Sequence, residues 1–381
     1  MSLPLKIIFP GQLVFGNDTF PALADEIIRR SPASVLICSI IPLDAITNKL
    51  KDRLEEAGIR VQTDTSIVAE PSFSDFKSLM ARISGFDPEV VVGVGGGSVL
   101  DVAKLVAAQL GNPQRLEEYV GIGLLGQRSR LLICVPTTSG TGSEVSPNAI
   151  LVDDADGQKK GIISPFLVPD IVYVDPVLTH SLPPAITAAT GIDALTHCLE
   201  AYTNKHAIPF IDNFALEGMR RISAHIIDAV QDGSNAVARE QVALGSLYGG
   251  FCLGPVNTAG VHALSYPLGS LYHLSHGLSN ALLLPWVMEY NIPASVSRHA
   301  EVALALGCSR GHDDMETAMA GVERIRAINR ACSIPSRLSE VGVTEDSLPG
   351  MARDAMKVQR LLKNNPREIT ESDALHIFKQ A

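Results

Sequence analysis

Short runs of β-branched and aliphatic residues alternate with amphipathic stretches through roughly residue 178. Ser34 to Ser39 is followed by the helical spacing of Leu43 to Gly58 and then by Arg60 to Thr65. Further strand-like runs stand at Val90 to Val94, Leu131 to Val135 and Ile171 to Val174, and a hairpin is expected between Ala149 and Ile163 around the turn Asp156-Gly157. Strands that alternate with helices in this way predict a parallel α/β sheet. Beyond Leu182-Pro183-Pro184 the periodicity changes. From Ala185 to the C-terminus the segments carry helical spacing broken by Gly or Pro, and no strand-like run emerges. The pattern predicts an α/β half over residues 1–180 and an all-helical half over 181–381, divided at about 178 to 184.

Composition narrows the function classes. The 381 residues are 46% hydrophobic and 19% charged, a balance that supports a large core and excludes disorder as the main state. Thirty-one Lys and Arg against 41 Asp and Glu leave a net charge of −10, which repels polyphosphate backbones and anionic lipid, so neither nucleic acid nor a membrane is expected as a partner. The longest apolar stretches, such as Ala281 to Val287, fall far short of the ~20 residues that span a bilayer. Six cysteines, at 38, 134, 198, 252, 308 and 332, lack CxxC spacing, and no basic segment with an apolar run opens the chain. Reduced thiols in a cytoplasmic protein are expected.

Two small-residue loops carry candidate chemistry. The buried-strand pattern Val90 to Val94 runs into Gly95-Gly96-Gly97-Ser98, followed by the helical stretch Val99 to Leu110. Glycines without Cβ let backbone N–H groups approach a phosphate, and a helix N-terminus adds free donors and partial positive charge. Ser98 suits the N-cap, with Asp101 completing a capping box. The literal GxGxxG pattern at Gly121 to Gly126 lacks a strand before it and a helix after it, and reads as a connecting loop. A second run, Pro136 to Glu144, follows the strand Leu131 to Val135 and offers hydroxyls and glycines to phosphate or ribose. Taken alone, either loop also reads as a plain turn.

Histidines and one aspartate supply a candidate metal site. Asp193 and His197 stand at i and i+4 on a helix, with Cβ atoms about 5–6 Å apart on one face. His262, His273 and His276 follow in a segment whose spacing admits two adjacent helices meeting at one point. A helical Asp/His pair also forms plain hydrogen bonds, so the pair alone does not require a metal.

Together these motifs resemble those of the iron-containing, group III alcohol dehydrogenases, in the dehydroquinate synthase-like superfamily. The resemblance covers most of the chain, from Gly95–Lys104 to Leu282–Asn291, and its most specific pieces are Pro136–Glu144, Thr190–His197 and His262–Gly277. It implies an N-terminal Rossmann-like nucleotide domain and a C-terminal helical domain with the metal between them. By motif position, Asp193, His197, His262 and His276 would hold Fe²⁺, or Zn²⁺ in its place. Gly95, Gly96, Gly97 and Ser98 would cradle a dinucleotide pyrophosphate, with Asp101, Thr137, Thr138, Ser143 and Lys160 also toward the cofactor. The implied reaction is hydride transfer between NAD or NADP and a small alcohol or its aldehyde, in a homo-oligomer, most simply a dimer. The alternatives are the sister activities of the superfamily, namely maleylacetate-type reduction, glycerol oxidation or a dehydroquinate synthase-like lyase. A non-catalytic nucleotide-binding role stands outside enzymes altogether.

Three departures from the family pattern bear on the details. Tyr266 stands where many members have a second histidine that relays a proton, so Tyr266 or His273 is the relay candidate. No carboxylate ends the run Ile37-Cys38-Ser39-Ile40, which leaves NAD and NADP both open. The wording of Phe251 to Thr258 is unusual; Phe251 and Leu253 would give an apolar wall for a short aliphatic substrate, or serve core packing.

Overall fold

The computed structural model describes residues 6–67 and 70–381. The chain forms two compact units, one of residues 6–138 and 143–179, the other of residues 139–142 and 180–381.

The first unit alternates strand and helix: β1 (Gln12–Phe15), α1 (Ala22–Arg30), β2 (Ser34–Cys38), α2 (Asp44–Glu56), β3 (Arg60–Asp64), α3 (Phe73–Arg82), β4 (Val90–Gly95) and α4 (Gly97–Gln109). Then come β5 (Gly121–Ile122), β6 (Leu131–Pro136), β7 (Asn148–Val152), β8 (Lys159–Ile163) and β9 (Ile171–Val174). Six strands make one parallel sheet in the order β1-β9-β6-β4-β2-β3. The central strands are buried on both faces, which is why they read as continuous apolar runs. Along them the side chains alternate. Leu36, Val91 and Leu132 pack with α3 and α4, whereas Val35, Val90, Val92 and Ile133 pack with α1 and α2. The strand order reverses between β2 and β4, and in open α/β sheets ligands bind beyond the carboxyl ends of the strands at such a point.

The expected hairpin is β7 with β8, antiparallel, with Ile150 opposite Gly161. Gly121–Gly126 is a connecting segment whose first two residues form β5 beside β8; no helix follows. The edge strand β1 went unread because its four residues are only partly buried and leave no clear alternation.

The regular elements of the second unit are all helical among the described residues, with α5 (Pro184–Thr203), α6 (Pro209–Gln231), α7 (Ala236–Leu253), α8 (Gly260–Tyr272), α9 (His276–Asn291), α10 (Val296–Ala305), α11 (Asp314–Ala331), α12 (Leu348–Ala355), α13 (Gln359–Leu362) and α14 (Glu371–Gln380). Helix α5 is buried from Gly191 through Thr203 on every face, its ionisable residues included, and packs against α6, α7 and α9. Buried asparagines brace the loop that leads into α8: Asn204 Nδ2 donates to the Asn257 carbonyl at 3.2 Å and Asn364 Nδ2 to the Thr258 carbonyl at 2.8 Å. Residues Ser139–Gly142 belong to this unit. Gly142 has φ +61° and lies so close to α7 that a Cβ there would stand 2.3 Å from Gly250 Cα. No helix is long and apolar enough to cross a membrane among the described residues.

Candidate functional site

Three helices of the second unit bring four donors together. Asp193 and His197 lie one turn apart on α5, His262 lies in the first turn of α8, and His276 begins α9. One ligand atom from each falls within 4.8 Å of the others. The Nε2 atoms of His197, His262 and His276 stand 3.7, 3.6 and 3.8 Å from Asp193 Oδ1. These separations are too long for hydrogen bonds. They are close to the roughly 3.3–3.6 Å that separates two ligands sharing one cation at bonds of ~2.0–2.2 Å in a tetrahedral site. Burial works against charge on Asp193, yet the facing imidazoles of His197, His276 and His262 outweigh it and hold the carboxyl well below its usual range. The donor set therefore fits a divalent cation.

Two side chains that the sequence reading passed over complete the cluster. Buried Glu200 accepts the Val261 N–H on Oε1 at 2.6 Å, and its Oε2 lies 2.6 Å from His262 Nδ1. A carboxylate can only accept, so Nδ1 carries a hydrogen, and in the neutral ring that ligates a cation the lone pair of Nε2 faces the cluster. Against the cost of burial, the charges of Glu200 and Asp193 push His262 up to about 10 in the absence of a cation. Asn280, one turn after His276, is buried. Its Nδ2 donates to Asp193 Oδ1 at 2.7 Å and lies 3.1 and 3.3 Å from the Nε2 atoms of His262 and His276. Both residues carried a periodic signal: Glu200 continues the face of Asp193 and His197 at i+7, and Asn280 follows His276 at i+4.

The relay candidates are placed differently. Tyr266 lies one turn after His262, its ring 6.3 Å from that of His276. Its hydroxyl accepts from Arg360 Nη2 on α13 at 2.8 Å. His273 is exposed at the C-cap of α8 in the left-handed region, φ 55°, and stands outside the four-donor cluster. Leu253 is buried, and the half-buried ring of Phe251 packs on Phe214 of α6 with centroids 5.5 Å apart.

In the first unit, β4 ends at Gly95 and α4 begins at Gly97. A Cβ on Gly95 would meet Val99 Cβ at 2.7 Å, so part of the glycine run serves to seat α4 on the strand. The expected cap is corrected: Gly96 is the N-cap, without a side-chain bond, and Ser98 lies inside the first turn. The reason is that the Gly96 carbonyl already accepts from the N–H groups of Val99 and Leu100 at 3.0 and 3.1 Å. Gly97 and Ser98 thus present first-turn N–H groups that have no intrahelical carbonyl to bond, together with the positive end of the helix dipole. That arrangement fits an anion such as a pyrophosphate.

Asp101 forms no capping box. Its carboxylate accepts from Ser143 Oγ at 2.5 Å and from the Ile150 N–H at 2.9 Å. Lys104, another residue the sequence reading left without a role, is fully buried and donates to Ser143 Oγ at 2.8 Å and to the carbonyls of Ser146 and Asn148 at 3.0 and 2.8 Å. Burial pushes the Asp101 carboxyl up and the Lys104 ammonium down, and each opposes the other's shift. The Thr137 N–H donates to the Gly95 carbonyl at 3.0 Å, and the Thr138 side chain lies 3.4 Å from where a Gly96 Cβ would stand. Lys160 is on β8, its ammonium 2.6 Å from Asp156 across the hairpin turn. Ser39, after β2, gives its hydroxyl to the Val94 carbonyl at 2.9 Å.

Known proteins resemble this chain along its whole length. Residues 10–176 match the model of the iron-containing alcohol dehydrogenases, and residues 187–381 match the C-terminal model of the Fe-containing alcohol dehydrogenase family. Long-chain-alcohol dehydrogenase 1 of Geobacillus thermodenitrificans is 35% identical over 99% of this chain and 96% of its own. The crystal structure of a 1,3-propanediol oxidoreductase superposes with a TM-score of 0.95 at 32% identity, covering 99% of this chain and 100% of its own. A sulfoacetaldehyde reductase from Bifidobacterium kashiwanohense, solved in complex with NAD⁺, gives 0.88 at 25% identity over 99% and 98% of the two chains. With matched models over both halves and relatives of this identity, the chain belongs to the iron-containing alcohol dehydrogenase family and is an alcohol–aldehyde oxidoreductase.

Proposed function

We propose that the chain interconverts a small alcohol and its aldehyde with a divalent metal held by Asp193, His197, His262 and His276, Fe²⁺ in the first place and Zn²⁺ as the alternative. The observation that carries this reading is the quartet itself, buried at Asp193, His197 and His262 and half-buried at His276, whose donors face one another at distances too long to bond among themselves. When bound, such a cation supplies a Lewis acid to the substrate oxygen, and a nicotinamide supplies or receives the hydride.

The chain's own residues do the rest. Glu200 fixes the His262 tautomer and Asn280 holds one oxygen of Asp193, so two of the four donors are oriented before a cation arrives. The turn Gly95, Gly96, Gly97 and Ser98 takes the dinucleotide pyrophosphate, with Thr137 and Thr138 beside it. Asp101 and Ser143, tied to each other and to Lys104, shape the neighbouring wall, and Lys160 adds a cation from the hairpin. Tyr266 is the better placed proton relay, since it shares the face of α8 with His262 whereas His273 is exposed. The two units would divide the work near residue 180, nucleotide in the first and metal in the second. NAD is the first candidate because a relative was solved with it, and Ser39 presents no charge to repel NADP. A cytoplasmic homodimer completes the reading.

The test is a stripped and reconstituted enzyme followed at 340 nm with both nicotinamides. Chelation is expected to abolish turnover, Fe²⁺ or Zn²⁺ to restore it, and Asp193→Ala to lose both metal and turnover. Full turnover by metal-free protein would refute the reading.

A further inference from the structure

One cation next to the quartet has no carboxylate partner among the described residues. Arg360 is half-buried on α13, and its single hydrogen bond among the described residues runs from Nη2 to the Tyr266 hydroxyl. No Asp or Glu lies within ion-pair distance of it among the described residues, although the chain carries 41 acidic groups against 31 Lys and Arg. Among the described residues, Arg298 is paired with Asp212, Arg310 with Glu301 and Arg326 with Glu289, while Arg239, Arg324 and Arg367, which also lack a carboxylate, donate to backbone carbonyls. A guanidinium presents five N–H donors in a rigid fork suited to two oxygens of one oxyanion, and one contact to a phenol leaves most of that capacity unused. Its place is also particular. Tyr266, which it touches, has its ring 6.3 Å from His276, one turn along α8 from His262. The local charge agrees, since Arg353, Lys357, Arg360, Lys363 and Arg367 fall within fifteen residues that hold one acidic residue, Asp354, in a chain of net charge −10. A basic stretch of this kind draws anions toward it.

We propose that Arg360, presented by Tyr266, binds an oxyanion at the end of the substrate remote from the reacting carbon, so that the substrates include aldehydes bearing a carboxylate or sulfonate. This rests on the metal-dependent dehydrogenase reading above. Nothing covalent happens at Arg360; it is a specificity-determining residue that holds one end of the molecule while the carbonyl lies toward the quartet. Arg–oxyanion pairing is bidentate and short-ranged, so lysine at 360 would keep the charge and lose the fork.

The experiment compares the metal-loaded wild type with Arg360→Met and Arg360→Lys on paired substrates: succinic semialdehyde against butanal, glyoxylate against acetaldehyde, and sulfoacetaldehyde against propanal. Folding of each variant is checked by its melting temperature. In the wild type, kcat/KM is expected to favour the charged member of at least one pair, and which pair does so distinguishes carboxylate from sulfonate. Arg360→Met is expected to lower that charged-to-neutral ratio at least tenfold through KM, with partial recovery in Arg360→Lys. An unchanged ratio in Arg360→Met, with neutral aldehydes still reduced by the wild type, would overturn the proposal and leave the dehydrogenase reading standing. Failure of the wild type to reduce any aldehyde in the panel would instead overturn that reading, and this proposal with it.

Discussion

Replacing Glu200 by glutamine changes one atom and removes one charge, and its consequence can be followed bond by bond. Glu200 accepts from two donors at once, the Val261 N–H and His262 Nδ1, each at 2.6 Å. Glutamine has a single oxygen. The Val261 donor is backbone in the first turn of α8 and cannot move, so the amide oxygen stays with it and the NH₂ group turns toward Nδ1. Nδ1 must then accept, and the imidazole proton shifts to Nε2, the atom that faces Asp193. A protonated Nε2 cannot ligate. Restoring the right tautomer leaves a buried amide donor facing a buried N–H. Removal of such an outer partner costs 10–100-fold in metal affinity, or about 1.4–2.7 kcal/mol. The assay is competition for Zn²⁺ against a chromophoric chelator, with the melting temperature of the metal-free protein as a control for folding. Glu200→Asp, which keeps both acceptors on a shorter arm, is expected to fall between the two. If Glu200→Gln bound Zn²⁺ within twofold of the wild type while folded, the tautomer argument would be wrong.

Two further predictions concern the first unit. Glu144 is buried and its carboxyl is pushed up to about 7 by that burial, against 4.5 when free. The folded state therefore holds a proton that the unfolded chain has released between these values. The stability of the wild type relative to Glu144→Gln should fall as pH rises from about 4.5 to 7, by at most about 3 kcal/mol; parallel pH profiles in urea melts would refute this. Lys104→Met removes the ammonium that faces Asp101 and bonds Ser143 in the interior, and should cost about 3–5 kcal/mol in denaturant unfolding because a buried charge loses its partner.

Much of the architecture was legible because the signals are local. The strands β2, β4, β6 and β9 are unbroken apolar runs, and the helical half is marked by spacing and by Gly and Pro. The convergence of the four donors was legible for a related reason: Asp193 and His197 are one turn apart, and the family wording around His262 and His276 is specific. What escaped notice depends on contacts between distant segments. Ser98 has the chemistry of a cap, but helix α4 starts at the preceding glycine. Asp101 was assigned to its own helix, yet its partners are Ser143 and Ile150, more than forty residues away. Arg360 lies 94 residues from Tyr266, and no spacing rule links a solvent-coloured residue near the C-terminus to a phenol on α8.

The four residues Ser139–Gly142 join the helices although the chain on both sides of them belongs to the sheet. Among the described residues the backbone therefore passes between the two units three times, and cutting at residue 180 cannot yield an intact second half. A fragment made of the helices alone would lack the tetrapeptide that lies against Gly250 and Thr190, and would present to water a notch shaped for backbone. In evolutionary terms the halves of such a chain cannot be shuffled as independent modules by a single fusion. Any exchange must carry the tether with it.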